Sequence, residues 1–122
     1  MGFAIGDREL IGRLAGMLGP WPVSGPALAI GAAALRDHGW AAETRRRLGA
    51  DAARLDALMT GAGAELAGGT PLFRLYRVDD AAQWQARLAR ARIWTRIFPY
   101  SDSWIRLGLP APDQWQRLER TL

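Results

Sequence analysis

Two arginines, Arg96 and Arg106, are the side chains of this chain whose placement points most clearly to chemistry. Residues 93–110 have the pattern of two β-strands joined by a Pro-Tyr-Ser-Asp turn. Apolar residues alternate along the second strand, so Arg106 points to the opposite face. If the turn is centred near Ser101, Arg96 lies directly across from Arg106 on that same face.

Two like charges opposed on neighbouring strands destabilise a sheet. A sequence that keeps both arginines there predicts an anion between them. The planar fork of a guanidinium binds a carboxylate or a phosphate through two hydrogen bonds. The alternative is that Arg106 pairs with a local carboxylate such as Asp102, which would leave no anion site.

The composition excludes several kinds of catalytic or metal site. The 122 residues contain no cysteine and one histidine, His38, so neither a thiolate metal site nor a histidine cluster is possible. All 16 basic residues are arginine, and without a lysine side chain the chain cannot form a Schiff base. The sequence also lacks the glycine-rich nucleotide motifs, HExxH and GxSxG.

The remaining acidic and hydroxyl side chains have simpler structural explanations. Asp51 and Asp56 lie on one predicted helix, Asp79 and Asp80 precede another, and Ser24 stands in a proline-rich loop without a neighbouring base. We therefore predict no catalytic residue, no cofactor-binding residue and no metal ligand in this chain.

The formal net charge of +4 raises the alternative of a stand-alone arginine- and tryptophan-rich module that binds nucleic acid or another acidic partner. Against it, the arginines are interspersed with acids, and the one cluster, residues 45–47, lies within a predicted helix. A structural protein without a ligand is a third possibility. No apolar run reaches the ~18 residues of a membrane span, and no signal peptide is evident, so we expect a cytoplasmic protein.

Helix and strand signals alternate along the chain. Predicted helices cover residues 8–18, 27–35, 41–60 and 81–92, and a last helix starts at residue 112; predicted strands lie within residues 65–78 and 93–110. Residues 68–71, Gly-Gly-Thr-Pro, are predicted to separate two short extended pieces. This order predicts an α+β fold, a small and mostly antiparallel sheet with helices packed on one face.

Four segments, in order, resemble the C-terminal part of fold-type I pyridoxal-phosphate enzymes of the class I/II aminotransferase group. They are residues 2–11, 19–31, 69–74 and 93–110, of which Gly-Pro-Trp-Pro-Val-Ser and Trp-Ile-Arg-Leu-Gly-Leu-Pro are the most specific. Within the group, the threonine-phosphate decarboxylase family of cobalamin biosynthesis is the most similar. Histidinol-phosphate aminotransferases are more distantly similar.

The resemblance implies roles for both arginines. In the family, the arginine that matches Arg106 binds the substrate α-carboxylate, and the one that matches Arg96 contacts the phosphate of phosphorylated substrates. The expected small-molecule partner is therefore a phosphorylated amino acid, with no nucleic acid and no membrane. Decarboxylation and amino transfer both remain open as the reaction of the full enzyme.

The resemblance also implies that the chain is one part of a longer protein. The lysine that holds pyridoxal phosphate in the family lies before the segment that matches Gly2. We therefore expect residues 1–25 to lead from an absent large domain and residues 26–122 to form the C-terminal small domain. By itself this part should be inactive and bind no pyridoxal phosphate covalently, and the full-length enzyme is expected to be a homodimer.

Overall fold

The structure, a computed structural model, describes residues 2–122. The chain divides into two compact units, one ending at Ala41 and the other covering Ala42–Leu122. The predicted boundary between residues 25 and 26 remains a prediction.

The first unit consists of helices separated by short loops. Helix α1 covers Arg8–Leu18, α2 covers Gly25–Arg36, and α3 begins at His38 and continues to Gly61 in the second unit. The side chain of Asp7 accepts hydrogen bonds from the first free backbone N–H groups of α1, and Pro26 lies in the first turn of α2. The predicted start of α1 is confirmed, and α2 starts two residues earlier than predicted, at Gly25.

Helices α1 and α2 bury none of their residues. The large apolar side chains of the first unit are instead exposed, among them Phe3, Ile5, Met17, Trp21 and Ile30. Exposed apolar side chains in such number are typical of a surface that contacts another chain or domain.

The second unit contains a four-stranded sheet. Strand β1 covers Glu65–Thr70, β2 Phe73–Arg77, β3 Arg96–Phe98 and β4 Ser101–Gly108. The strands lie in the order β1-β2-β4-β3, and every neighbouring pair is antiparallel. The α+β class predicted from the sequence is confirmed.

One face of this sheet carries the hydrophobic core. On β2 and β4 the buried residues are Tyr76, Ile105 and Leu107, and the register places Tyr76 opposite Ile105, so all three share that face. Helix α4 covers Ala81–Arg90, and helix α5 covers Trp115–Thr121 after a short 3-10 turn. The three strand residues pack against buried side chains of α3, α4 and α5, which are Leu55, Met59, Ala81, Trp84, Leu88, Trp115 and Leu118.

Two local predictions are corrected. Gly68 and Gly69 do not separate the strands but lie within β1 at a bulge, with φ of +149° and +131°, and the turn follows Thr70. Only glycine fits at position 69, because a Cβ there would overlap the carbonyl oxygen of Phe73. Helix α4 ends at Arg90 rather than at residue 92, because Arg92 adopts a left-handed conformation with φ of +61°.

Candidate functional site

Strands β3 and β4 bring Arg96 and Arg106 together. The register pairs Arg96 directly with Arg106 and Ile97 with Ile105. Since Ile105 is buried in the core, Arg106 and its partner Arg96 lie on the opposite, open face of the sheet. The predicted pairing of the two arginines is confirmed, but the turn consists of Pro99 and Tyr100 and is not centred near Ser101, which already belongs to β4.

A β-bulge produces this register. At the turn, Phe98 pairs with Ser101, and a regular ladder continued from there would place Arg96 opposite Ser103, which shares the core face with Ile105. The register instead shifts by an odd number of residues between Ile97 and Phe98, which exchanges the faces. The bulge therefore moves Arg96 from the core face to the face of Arg106.

A groove of about 410 Å³ lies beside the two arginines. Arg96 is exposed and Arg106 is half-buried. Strands β2, β3 and β4, helix α4 and the segment before β3 contribute its lining, which is Phe73, Gln85, Trp94, Thr95, Arg96, Ile97, Arg106 and Gly108. The groove thus combines two cationic side chains with two aromatic rings and one amide.

The two guanidinium groups lie near different aromatic rings. The guanidinium carbon of Arg106 lies 4.9 Å from the ring centroid of Phe73 on β2, and that of Arg96 lies 5.7 Å from the ring of Phe98 on its own strand. Cation–π contacts at exposed sites contribute about 0.5–1 kcal/mol each. They hold the two charges towards different strands and leave the guanidinium N–H groups free for an acceptor.

Among residues 2–122, no carboxylate pairs with Arg96 or Arg106, and neither arginine forms a side-chain hydrogen bond. Asp102, the alternative partner considered for Arg106, instead lines a different groove together with Asp79 and Asp80. The arrangement can accept one small ligand that carries two anionic groups.

On the core face of the same sheet, Arg74 is paired with a carboxylate, unlike Arg96 and Arg106. Arg74 donates from Nε and Nη2 to the two carboxylate oxygens of Asp56, at 3.0 and 2.6 Å, and the hydroxyl of Tyr76 donates to Asp56 at 2.6 Å. The side chains of Arg74 and Asp56 are only 15% and 22% exposed. Sequence reasoning missed this network, because it paired Asp56 with Asp51 on the helix surface.

This network shifts the pKa values of its members. Burial by itself would raise the pKa of Asp56, but the hydrogen bonds from Arg74 and Tyr76 outweigh it and hold that pKa below its usual value. Burial, together with the hydrogen bond to Asp56, raises the pKa of Tyr76. Asp56 is therefore a charged structural group whose oxygens bind Arg74 and Tyr76, and we assign it no catalytic role.

A second groove, of about 420 Å³, lies along α4 and contains Arg87 and Arg90. The guanidinium of Arg87 stacks 4.3 Å from the ring centroid of Trp84, whose indole N–H donates to Asp79 at 2.8 Å. No polar atom of the described residues hydrogen-bonds Nε or Nη2 of Arg87. This groove has one cluster of arginines on one helix, without the cross-strand geometry of Arg96 and Arg106.

The residues present cannot attach pyridoxal phosphate, the cofactor that the resemblance implies, through a lysine. Covalent attachment of this cofactor uses a lysine amine, and the sequence contains no lysine. Within residues 2–122, no group of three or more histidine or acidic side chains could hold a metal ion. No helix in this range is long and apolar enough to cross a membrane.

Comparisons with known proteins give the family. Residues 1–120 match the family model of aminotransferase class I and II. A threonine-phosphate decarboxylase from Sinorhizobium sp. is 42% identical over 116 residues, which cover 93% of this chain and 33% of that protein. A threonine-phosphate decarboxylase from Pseudomonas aeruginosa is also 42% identical, over all of this chain and 37% of its own length.

The chain therefore spans about a third of the length of the curated relatives that it matches. The match to the family model extends from the first helix to the last, and it includes both arginine-bearing strands. The chain belongs to the class I and II aminotransferase family.

Proposed function

We propose that this chain is the C-terminal, substrate-binding domain of a pyridoxal-phosphate-dependent threonine-phosphate decarboxylase. In this proposal Arg106 binds the α-carboxylate of the phosphorylated amino acid and Arg96 binds its phosphate. The 42% identity to two threonine-phosphate decarboxylases supports the substrate class. Cofactor attachment would belong to residues outside these 122, since no lysine is present among them.

The observation that carries the proposal is the cross-strand pairing of Arg96 with Arg106, neither of which forms an ion pair among residues 2–122. A bound anion would reduce the repulsion between the two charges, and a phosphorylated amino acid offers one anionic group for each guanidinium. The half-buried Arg106 suits the smaller, singly charged carboxylate. The exposed Arg96 leaves room for a phosphate with part of its hydration shell.

The role of the domain in this proposal is to orient the substrate. Contacts at both ends of a small molecule restrict its orientation, and so restrict the directions that the bonds at the α-carbon between them can take. An aminotransferase for a phosphorylated substrate could use the same two contacts. Both similar proteins are threonine-phosphate decarboxylases, which favours decarboxylation. Membership of an enzyme family also favours this proposal over a stand-alone nucleic-acid-binding module.

The exposed apolar side chains of the first unit fit the same proposal. Phe3, Ile5, Trp21 and Ile30 would contact the remainder of the longer protein, or a second copy in the expected homodimer. The relatives are about three times as long as this chain, which provides such a remainder. The cytoplasm, where a phosphorylated amino acid would be available, remains the predicted location.

The test is a titration of the 122-residue chain, followed by NMR, with O-phospho-L-threonine, L-threonine and inorganic phosphate. We expect O-phospho-L-threonine to bind the most tightly of the three, since it alone engages both arginines. Arg96→Ala should reduce its affinity to about that of L-threonine, and Arg106→Ala to about that of phosphate. Arg106→Lys should recover part of the loss, because lysine restores the charge but not the two-pronged contact.

Arg46→Ala is the matched control, since Arg46 is an exposed arginine on α3 and its loss changes the net charge equally. It should leave all three affinities unchanged. Equal losses in the Arg46, Arg96 and Arg106 variants would reduce the binding to non-specific charge attraction and contradict the proposal. Tighter binding to short RNA than to O-phospho-L-threonine, with a steep salt dependence, would support the nucleic-acid alternative.

A further inference from the structure

Strand β3, which carries Arg96, is weakly held by the sheet itself. It has three residues, lies at the edge of the sheet, and pairs with β4 through a ladder interrupted by the bulge. A one-residue slip of such a strand moves each side chain to the other face. Some contact outside the ladder must therefore help to keep Arg96 beside Arg106.

Gln85 of α4 provides such a contact. Its amide Nε2 donates a hydrogen bond of 3.0 Å to the backbone carbonyl of Thr95, the residue before β3. A carbonyl oxygen can only accept, so the chemistry also determines which end of the amide faces Thr95. Gln85 is half-buried and lines the same groove as Arg96 and Arg106.

The bond acts on the peptide group that begins β3. The carbonyl of Thr95 and the N–H of Arg96 belong to one planar peptide unit, so holding the oxygen orients the backbone from which the Arg96 side chain leaves. Thr95 is only 3% exposed, and its hydroxyl has no hydrogen-bond partner among residues 2–122. The Gln85 amide is thus the side-chain hydrogen bond that ties this residue to the helix layer.

We propose that Gln85 is a positioning residue for Arg96, which maintains the register that keeps Arg96 on the ligand-binding face. This inference rests on the proposed function, since it assumes that Arg96 binds the phosphate of the substrate. It assigns Gln85 no contact with the carboxylate, which Arg106 is proposed to bind.

Gln85→Leu removes the hydrogen bond at nearly constant size. We expect this variant to weaken the binding of O-phospho-L-threonine about 3- to 10-fold, the range expected for one net hydrogen bond. Binding of L-threonine, which uses Arg106, should stay unchanged. Gln116→Leu is the control, at an exposed glutamine of α5 whose side chain forms no hydrogen bond within residues 2–122, and it should change neither affinity.

A double-mutant cycle separates positioning from a general effect on the fold. If Gln85 acts through Arg96, Gln85→Leu should cause no further loss of O-phospho-L-threonine affinity in the Arg96→Ala background. Additive losses, equal losses for L-threonine, or no loss in the single variant would overturn the inference. If Arg96→Ala alone leaves O-phospho-L-threonine binding intact, the proposed function itself fails, which distinguishes the two failures.

Discussion

The two faces of the sheet differ in how their arginines are paired. Arg74 on β2 and Arg106 on β4 lie on adjacent strands, one position apart in the register, but they point to different faces. Arg74 is largely buried against Asp56, to which it donates from Nε and Nη2, and the hydroxyl of Tyr76 donates to the same carboxylate. Arg106 lies over an aromatic ring with no acid near it, and directly opposite another arginine.

The difference has a physical cause. A guanidinium in the core must be paired, because a buried charge without a partner costs several kcal/mol. On the open face, water solvates the charge, so an arginine there can keep its donors free until a ligand arrives. Even on that face an arginine pairs with an acid that lies opposite it, since Arg77 donates to Glu65 on the neighbouring strand at 3.0 Å. The absence of such an acid beside Arg96 and Arg106 is what distinguishes the site.

Removing Asp56 from its network with Arg74 and Tyr76 should change the free energy of unfolding more than any other substitution considered. Asp56→Ala leaves Arg74 buried without its carboxylate, and we expect the free energy of unfolding to fall by about 2–4 kcal/mol. Urea denaturation followed by circular dichroism measures it. Asp51→Ala is the control, since Asp51 pairs with an exposed arginine on the same helix, and it should cost less than about 1 kcal/mol. Similar losses of unfolding free energy in both variants would mean that the core network contributes no more to stability than an exposed ion pair.

The same network should make stability depend on pH. The pKa of Asp56 is lower in the folded state than the value of about 3.9 in an unfolded chain. Its contribution is therefore fully present above pH 4 and is lost as the pH falls through the lower, folded-state pKa. Asp56→Asn should reduce this acid-side loss of stability, measured by urea denaturation between pH 2 and pH 7. An unchanged slope would contradict the assigned shift.

Giving Arg106 an acidic partner on the open face should change the stability less than Asp56→Ala does, should raise it, and should weaken the binding of O-phospho-L-threonine. Arg96→Glu places a carboxylate opposite Arg106, which should raise the free energy of unfolding by about 0.2–1 kcal/mol. The same change should abolish the preference for O-phospho-L-threonine over L-threonine in the NMR titration. Arg46→Glu on α3 is the control for charge alone. A variant that is destabilised, or that still prefers the phosphorylated ligand, would show that the two arginines are not close partners.

Local sequence determined much of the fold. Asp7 and Asp80 cap the starts of α1 and α4, and Pro26 in the first turn of α2 favours helical backbone angles; all three are signals that act within a few residues. The alternation of Ile105 and Leu107 likewise determined the face of Arg106, because side chains in a strand alternate with a period of two. The family resemblance also lay in short segments that the sequence displays directly.

Tertiary structure decided which charges meet. Asp56 and Arg74 are separated by 18 residues, and only the packing of α3 on the sheet brings them together. Arg96 lies on the open face because a bulge shifts the register of its strand. No residue type in the turn predicts that bulge. Periodicity is local and can be read from the sequence, whereas register and burial depend on elements distant in the chain. For this reason the sequence determined the face of Arg106, but only the folded sheet determined that of Arg96.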